Sequence, residues 1–188
     1  VTPDNQDNDR DGYSLCQGDC DDAEPDAFAG NPETCDGIDN DCTGLADDID
    51  QDGDGAFLCT EVPDCDDNDA TAFPVVVDFQ GQGDEWGTLE HPYTSLEQAF
   101  NGLDSICRSI YILPGSGEVA ATVPAGVVSI FGLGTDSGEG ILMGSGSRIL
   151  TLSSGTSLSI QNLTIRGGNF VGDDGGAIWG TEIGRAHV

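Results

Sequence analysis

Two stretches of the chain set carboxylates at alternate positions and end them on a glycine: Asp7, Asp9, Asp11 and Gly12 in residues 7–12, and Asp50, Asp52, Asp54 and Gly55 in residues 50–55. After a short spacer, each D-x-D-x-D-G is followed by D-C-D-D, first as Asp19, Cys20, Asp21 and Asp22, then as Asp64, Cys65, Asp66 and Asp67. Two carboxylates about 4 Å apart repel by roughly 4 kcal/mol at the effective dielectric of a protein surface. Arg10 is the sole base within either stretch, so the pattern asks for a bound cation. Alternate carboxylates at the start of such a loop converge on one ion, the glycine permits the tight turn, and an all-oxygen donor set of this kind suits calcium.

The second loop also carries Glu61 where an EF-hand has its closing glutamate, whereas the first has Gly18 there. Pro3, Pro25, Pro63 and aspartate-rich runs take the place of the amphipathic helices that flank an EF-hand. The expectation is therefore a helix-poor calcium loop closed by the shared D-C-D-D. Between the two loops, "CDGIDNDCTGLADD" (residues 35–48) adds Asp36, Asp39 and Asp41 between Cys35 and Cys42.

Charge is distributed unevenly around these motifs. Residues 1–74 hold 23 Asp and Glu against Arg10 alone, a net −22, which leaves −8 of the total −30 for residues 75–188. Such an excess argues against nucleic-acid binding, which needs basic surface to displace counterions, and against attraction to anionic lipids. Large apolar side chains are sparse in residues 1–74, and a segment of this size without its own core needs disulfide or metal staples. Six of the seven cysteines lie there. They read as disulfides in an oxidising, extracellular or periplasmic setting, since hard carboxylates rather than thiolates dominate each cluster. Sequence does not choose among their connectivities; the local pairs Cys16/Cys20, Cys35/Cys42 and Cys59/Cys65 are the simplest, with Cys107 left as a buried thiol. No signal peptide or membrane span is legible.

The order D-x-D-x-D-G, D-C-D-D, C-D-G-I-D-N-D-C-x-G, D-x-D-G-D-G and D-C-D-D resembles the MopE-type metal-binding repeat of large secreted bacterial surface proteins, over residues 4–74. "CDGIDNDC" is its most distinctive piece, and Thr43 departs from the acidic residue that often follows the second cysteine. Thrombospondin type 3 repeats are similar with lower specificity. The resemblance implies metal binding by Asp7, Asp9, Asp11, Asp19, Asp21 and Asp22, by Asp36, Asp39 and Asp41, and by Asp50, Asp52, Asp54, Asp64, Asp66 and Asp67.

Beyond Pro74 the texture changes. Val75–Val77 reads as a strand. Thr94 and Glu97 form a capping box before a helix whose Leu96, Ala99, Phe100 and Leu103 share one face. Short apolar runs broken by Gly and Ser follow, at residues 109–113, 127–131, 148–152, 157–160, 163–165 and 177–179. The step of 22 residues from Ile130 to Leu152 suits a coil of several short strands. "GTLEHPYTSLEQAF", "SIYILPG" and "SLSIQNLTIRGG" resemble the N-terminal part of right-handed parallel β-helix proteins of the pectin-lyase-like superfold, across residues 75–181. That resemblance implies stacked parallel sheets beneath a helical lid.

Fold alone assigns no chemistry here. His91, beside Pro92, reads as a surface residue; Arg166 with Asp173 and Asp174 reads as a polar turn between coils; no paired carboxylates recur across the coils. The expected fold class is mainly β: helix-poor disulfide and calcium-loop repeats in residues 1–74, then the start of a right-handed parallel β-helix with an N-terminal capping helix in residues 75–181. "EIGRAHV", residues 182–188, resembles the translation of a sequencing adapter and reads as an artefact, after which the natural protein is expected to continue. The expected function is that of a calcium-binding secreted or cell-surface protein fragment whose β-helix serves adhesion or carbohydrate contact. Its partners would be calcium ions and a polysaccharide or another surface protein. The alternative is a polysaccharide lyase or hydrolase with catalytic coils downstream; within these residues no catalytic or cofactor-binding set is assigned.

Overall fold

The computed structural model describes residues 5–81, 86–134, 140–146, 148–168 and 177–179, so Asp173, Asp174 and residues 182–188 lie outside the described residues. The chain divides into two compact units, Val1–Thr71 and Ala72–Val188.

In the first unit the described residues form turns and bends, with no helix and with a single β-bridge between Asp19 and Phe28. The reason is visible in the composition: aspartate side chains compete with the backbone for its own N–H groups and favour turns over regular structure. Among the described residues of this unit, Ala27 and Val62 are the buried apolar side chains, too few to hold it. Disulfides Cys20–Cys42 and Cys35–Cys59 supply the constraint. They span 22 and 24 residues, and closing a loop of that size in the unfolded chain stabilises by roughly 3 kcal/mol each. The local pairs expected from sequence are thus replaced by crossed, long-range ones. Cys65 is disulfide-bonded as well, and the free, exposed cysteine is Cys16.

The second unit is built from short strands: β1 (Val75–Val77), β2 (Ser109–Ile112), β3 (Gly115–Glu118), β4 (Ala121–Val123), β5 (Gly126–Gly132), β6 (Gly140–Met143), β7 (Leu150–Leu152), β8 (Thr156–Gln161), β9 (Thr164–Arg166) and β10 (Ile178–Trp179). They form three parallel sheets, ordered β1-β2-β5-β8, β4-β7-β10 and β3-β6-β9. From β2 onward, every third strand returns to the same sheet, one position further along. Ile110 pairs with Ile130 and Ile130 with Ile160, so successive steps in this sheet are 20 and 30 residues. The 22-residue step expected from Ile130 to Leu152 does not join equivalent positions, because β5 and β7 lie in different sheets.

Alternation along the strands decides what faces the core. Ile110, Ile112, Val128 and Ile130 are fully buried, as are Val123, Leu142 and Leu150. Tyr111 and Phe131, in register between those isoleucines, stack on the opposite face with ring centroids 5.1 Å apart. Helix α1 (Leu96–Gly102) buries Leu96, Ala99 and Phe100 against this core. Its N-cap is Ser95, one residue later than the expected Thr94 box: the Ser95 hydroxyl accepts from the Gln98 N–H at 3.3 Å, and the two side chains meet at 2.7 Å. His91, expected at the surface, is half-buried with its ring 4.7 Å from that of Trp86. Cys107, expected as a buried thiol, is buried but disulfide-bonded.

Candidate metal centres

Each D-x-D-x-D-G folds into the same loop, position for position. In the first, the Asp7 carboxylate accepts from the Arg10 N–H at 2.6 Å, Asp9 from Asp11 at 3.1 Å and Asp11 from Tyr13 at 2.6 Å. In the second, Asp50 accepts from Gly53 at 2.7 Å, Asp52 from Asp54 at 3.2 Å and Asp54 from Ala56 at 2.7 Å. The fourth and sixth positions are left-handed in both: φ is 73° at Arg10 and 77° at Gly53, 102° at Gly12 and 88° at Gly55. Glycine meets that demand without steric cost.

D-C-D-D closes each loop from outside. Asp22 accepts from the Asn8 N–H at 3.1 Å and from the Asn8 side-chain amide, while Asp67 accepts from the Gln51 N–H at 2.8 Å. Asp19 and Asp64 turn inward and are among the few buried polar side chains. Asp19 Oδ1 accepts from the Asp21 N–H at 2.8 Å, and Asp64 Oδ1 from Asp66 at 3.3 Å.

One oxygen of each inward carboxylate is therefore committed to the backbone, and the other is left over. Oδ2 of Asp9, Asp11 and Asp19, and Oδ2 of Asp52, Asp54 and Asp64, are buried without a hydrogen-bond partner. These are equivalent residues in the two loops. A buried acceptor left unmade costs about 1–3 kcal/mol, more when charged, and three of them recur at matched positions in the two loops. Ligand atoms of Asp7, Asp9 and Asp11 lie within 4.8 Å of one another, as do those of Asp50, Asp52 and Asp54.

Electrostatics in the metal-free state agree with this geometry. Burial pushes the Asp19 carboxyl above its ordinary range; the Asp21 N–H opposes, and the charges of Asp9, Asp11 and Asp22 add to the rise. Burial likewise raises Asp64, with Asp54 and Asp52 contributing, and Asp52, with Asp54, Asp50 and Asp67 contributing. Asp19 and Asp64 thus feel the carboxylates of the loops that they close.

The middle module is organised differently. Asp41 lies with Glu33 and Asp48, their ligand atoms within 4.8 Å; Asp36 and Asp39 are not part of that group. Exposed Asp36 is held below the usual carboxylate range by hydrogen bonds from the Ile38 N–H and the Thr34 hydroxyl. Asp39 accepts from the Gly44 N–H at 2.9 Å and keeps a buried, unpartnered Oδ1. Both Glu33 oxygens accept backbone N–H groups, from Asp41 and Asp47, each at 2.8 Å. Glu33 and Asp48 are the acidic residues that sequence reasoning missed. Asp21 and Asp66 accept from the N–H two residues on, Ala23 and Asn68, each at 3.3 Å, and their oxygens are not among the buried, unpartnered ones. Glu61, the EF-hand closing position, is exposed and belongs to none of the three groups.

Residues 19–48 and 64–79 match the MopE copper-binding family model, described as "Putative metal-binding motif". Each matched segment begins at a D-C-D-D, so the motif includes both closing arms and the middle module. No curated protein and no solved structure matches the chain. Among the described residues, no helix is long and apolar enough to cross a membrane. The matched residues cover less than half of the chain and make it similar to that motif over the two closing arms and the middle module.

Proposed function

We propose that the chain is a calcium-binding protein of the extracellular space or cell surface, with one ion held in each D-x-D-x-D-G loop. The observation that carries this reading is the matched set of buried, unpartnered oxygens on Asp9, Asp11 and Asp19 and on Asp52, Asp54 and Asp64. Calcium takes about six to eight oxygen ligands in loose geometry, and these loops offer carboxylate oxygens with no imidazole. Copper favours nitrogen and sulfur donors, whereas Cys20 and Cys65 beside the ligands are disulfide-bonded. Disulfides suit an oxidising compartment.

For residues 75–181 we propose the first coils of a right-handed parallel β-helix serving adhesion or carbohydrate contact. Its support is the return of every third strand to the same parallel sheet and the helix laid against the first strands.

The test is calorimetric titration of calcium into the oxidised, chelator-stripped 188-residue chain, with magnesium as competitor. Saturable uptake of two ions that magnesium displaces poorly is expected. Flat heats under both ions would remove the reading.

A further inference from the structure

Each loop site is assembled from two chain segments. In the first loop Asp19, Asp21 and Asp22 flank Cys20, and this arm is tied down by the Asn8 donors on Asp22, by the Asp19–Phe28 bridge, by the Asp19 N–H donating to the Ser14 carbonyl at 3.3 Å and the Cys20 N–H donating to the Ala27 carbonyl at 3.2 Å, and, covalently, by the Cys20–Cys42 disulfide. Ala27 is the buried apolar side chain beside it. Cys42 in turn follows Asp41, a member of the middle acidic group. The bond therefore fixes the arm that delivers Asp19 to the ion, and Cys20 is exposed, within reach of a small thiol.

We propose that calcium in the first loop and the Cys20–Cys42 disulfide are reciprocally coupled: reduction by a dithiol opens the site and releases the ion, and bound calcium protects the bond. The coupling rests on the calcium reading of the site. A thiolate of the dithiol attacks one sulfur of the bond, giving a mixed disulfide and one cysteine thiolate. The reagent's second thiolate displaces the other cysteine, leaving a cyclic disulfide, and the two protons of the dithiol pass to the cysteines. Without the bond, the buried Asp19 arm is free to swing away from the mutual repulsion of Asp9, Asp11, Asp19 and Asp22. With the ion bound, that same repulsion becomes attraction to a shared charge, which holds the two sulfurs together. By linkage, whatever factor reduction takes from calcium affinity, calcium takes from the tendency to be reduced.

The test uses the whole oxidised chain with Cys16 first alkylated. The chain is equilibrated in mixtures of reduced and oxidised dithiothreitol with and without saturating calcium, and the fraction of Cys20 and Cys42 reduced is read by alkylation and peptide mass spectrometry. Calcium is expected to lower the equilibrium constant for reduction of the bond by about tenfold or more; equal constants overturn the coupling. In parallel, a Cys20→Ser/Cys42→Ser double variant is titrated with calcium. One of two sites should weaken by about tenfold or more while the other is unchanged, and two unchanged sites overturn the proposal. Absence of calcium uptake by the untreated chain is a different result: it removes the reading on which the coupling stands, and the coupling with it.

Discussion

Asp19 and Asp64 hold the same place in two copies of one loop, 45 residues apart in the chain. They are 5 % and 7 % exposed, each accepts at Oδ1 from the N–H two residues on, and each keeps Oδ2 buried and unpartnered. A carboxylate is rarely buried unless it is paired or bound to metal, and here the nearest charges are other carboxylates. The pair therefore makes sense with an ion in each loop, and it fixes opposite signs for a single substitution.

Asp64→Asn keeps the shape and the Oδ1 contact but removes the charge. It should weaken calcium at the second loop by about tenfold to a hundredfold, given roughly 4 kcal/mol per close charge pair before desolvation is subtracted. The first loop should keep its affinity. The same variant should raise the melting temperature of the metal-free chain, because the repulsion it relieves acts only there. Calorimetry with and without chelator reads both signs; equal weakening at the two loops would contradict the assignment.

Acid should act differently on the two forms. A carboxyl raised in the folded state, as for Asp19, Asp52 and Asp64, contributes stability that is complete below its unfolded pKa of about 4 and is lost as pH climbs through the folded value. Asp36 and Asp69, held low by hydrogen bonds, contribute above that value and lose it as pH falls. The metal-free chain should therefore lose stability from the three inward carboxylates over the interval in which pH climbs above about 4, and calcium should reverse the trend. Melting curves across this interval, for wild type and for Asp19→Asn/Asp64→Asn in chelator, would show it as a flatter profile in the variant.

Asn40 is buried inside the middle module. Its Oδ1 accepts from the Thr34 N–H at 2.8 Å and the Thr34 hydroxyl at 3.1 Å, and its amide donates to the Asp26 carbonyl at 3.0 Å. Asn40→Ala should cost about 1–3 kcal/mol, measurable by denaturant unfolding of the oxidised chain. A cost within error would mean that the turn is held by Cys20–Cys42 and Cys35–Cys59 alone.

Gly132 ends β5 where a Cβ would run into the backbone carbonyl of Asn162 and the side chain of Leu163. Gly132→Ala should destabilise the second unit by roughly 1–3 kcal/mol and leave calcium binding in the first unchanged. Circular dichroism and calorimetry on the same sample separate the two effects.

What the sequence disclosed, and what it withheld, follows physical lines. The apolar runs of β1, β2 and β5 announce themselves by their β-branched side chains, which β1 buries throughout and β5 buries at alternate positions from Val128 onward. β3 (G-S-G-E), β4 (A-T-V) and β6 (G-I-L-M) lie outside the runs legible in the sequence, since glycines and short or weakly apolar stretches give little signal and become strands because neighbours pair with them. The repeat made Asp9, Asp11, Asp52 and Asp54 legible as a group. That Asp19 and Asp64 turn inward while Asp21 and Asp66 do not could not be read, because D-C-D-D gives all of its aspartates the same signal. Glu33 and Asp48 stand outside any repeat and join Asp41 only through the fold, and the disulfides cross between motifs where sequence proximity suggested pairs within them.

Counting ions on the intact chain tests the central claim most directly. Native mass spectrometry of the oxidised protein, stripped with chelator and returned to calcium, should show two tightly held ions, falling to one in Asp54→Asn. A wild-type spectrum with no calcium retained, or an Asp54→Asn spectrum indistinguishable from it, would contradict the two-loop account.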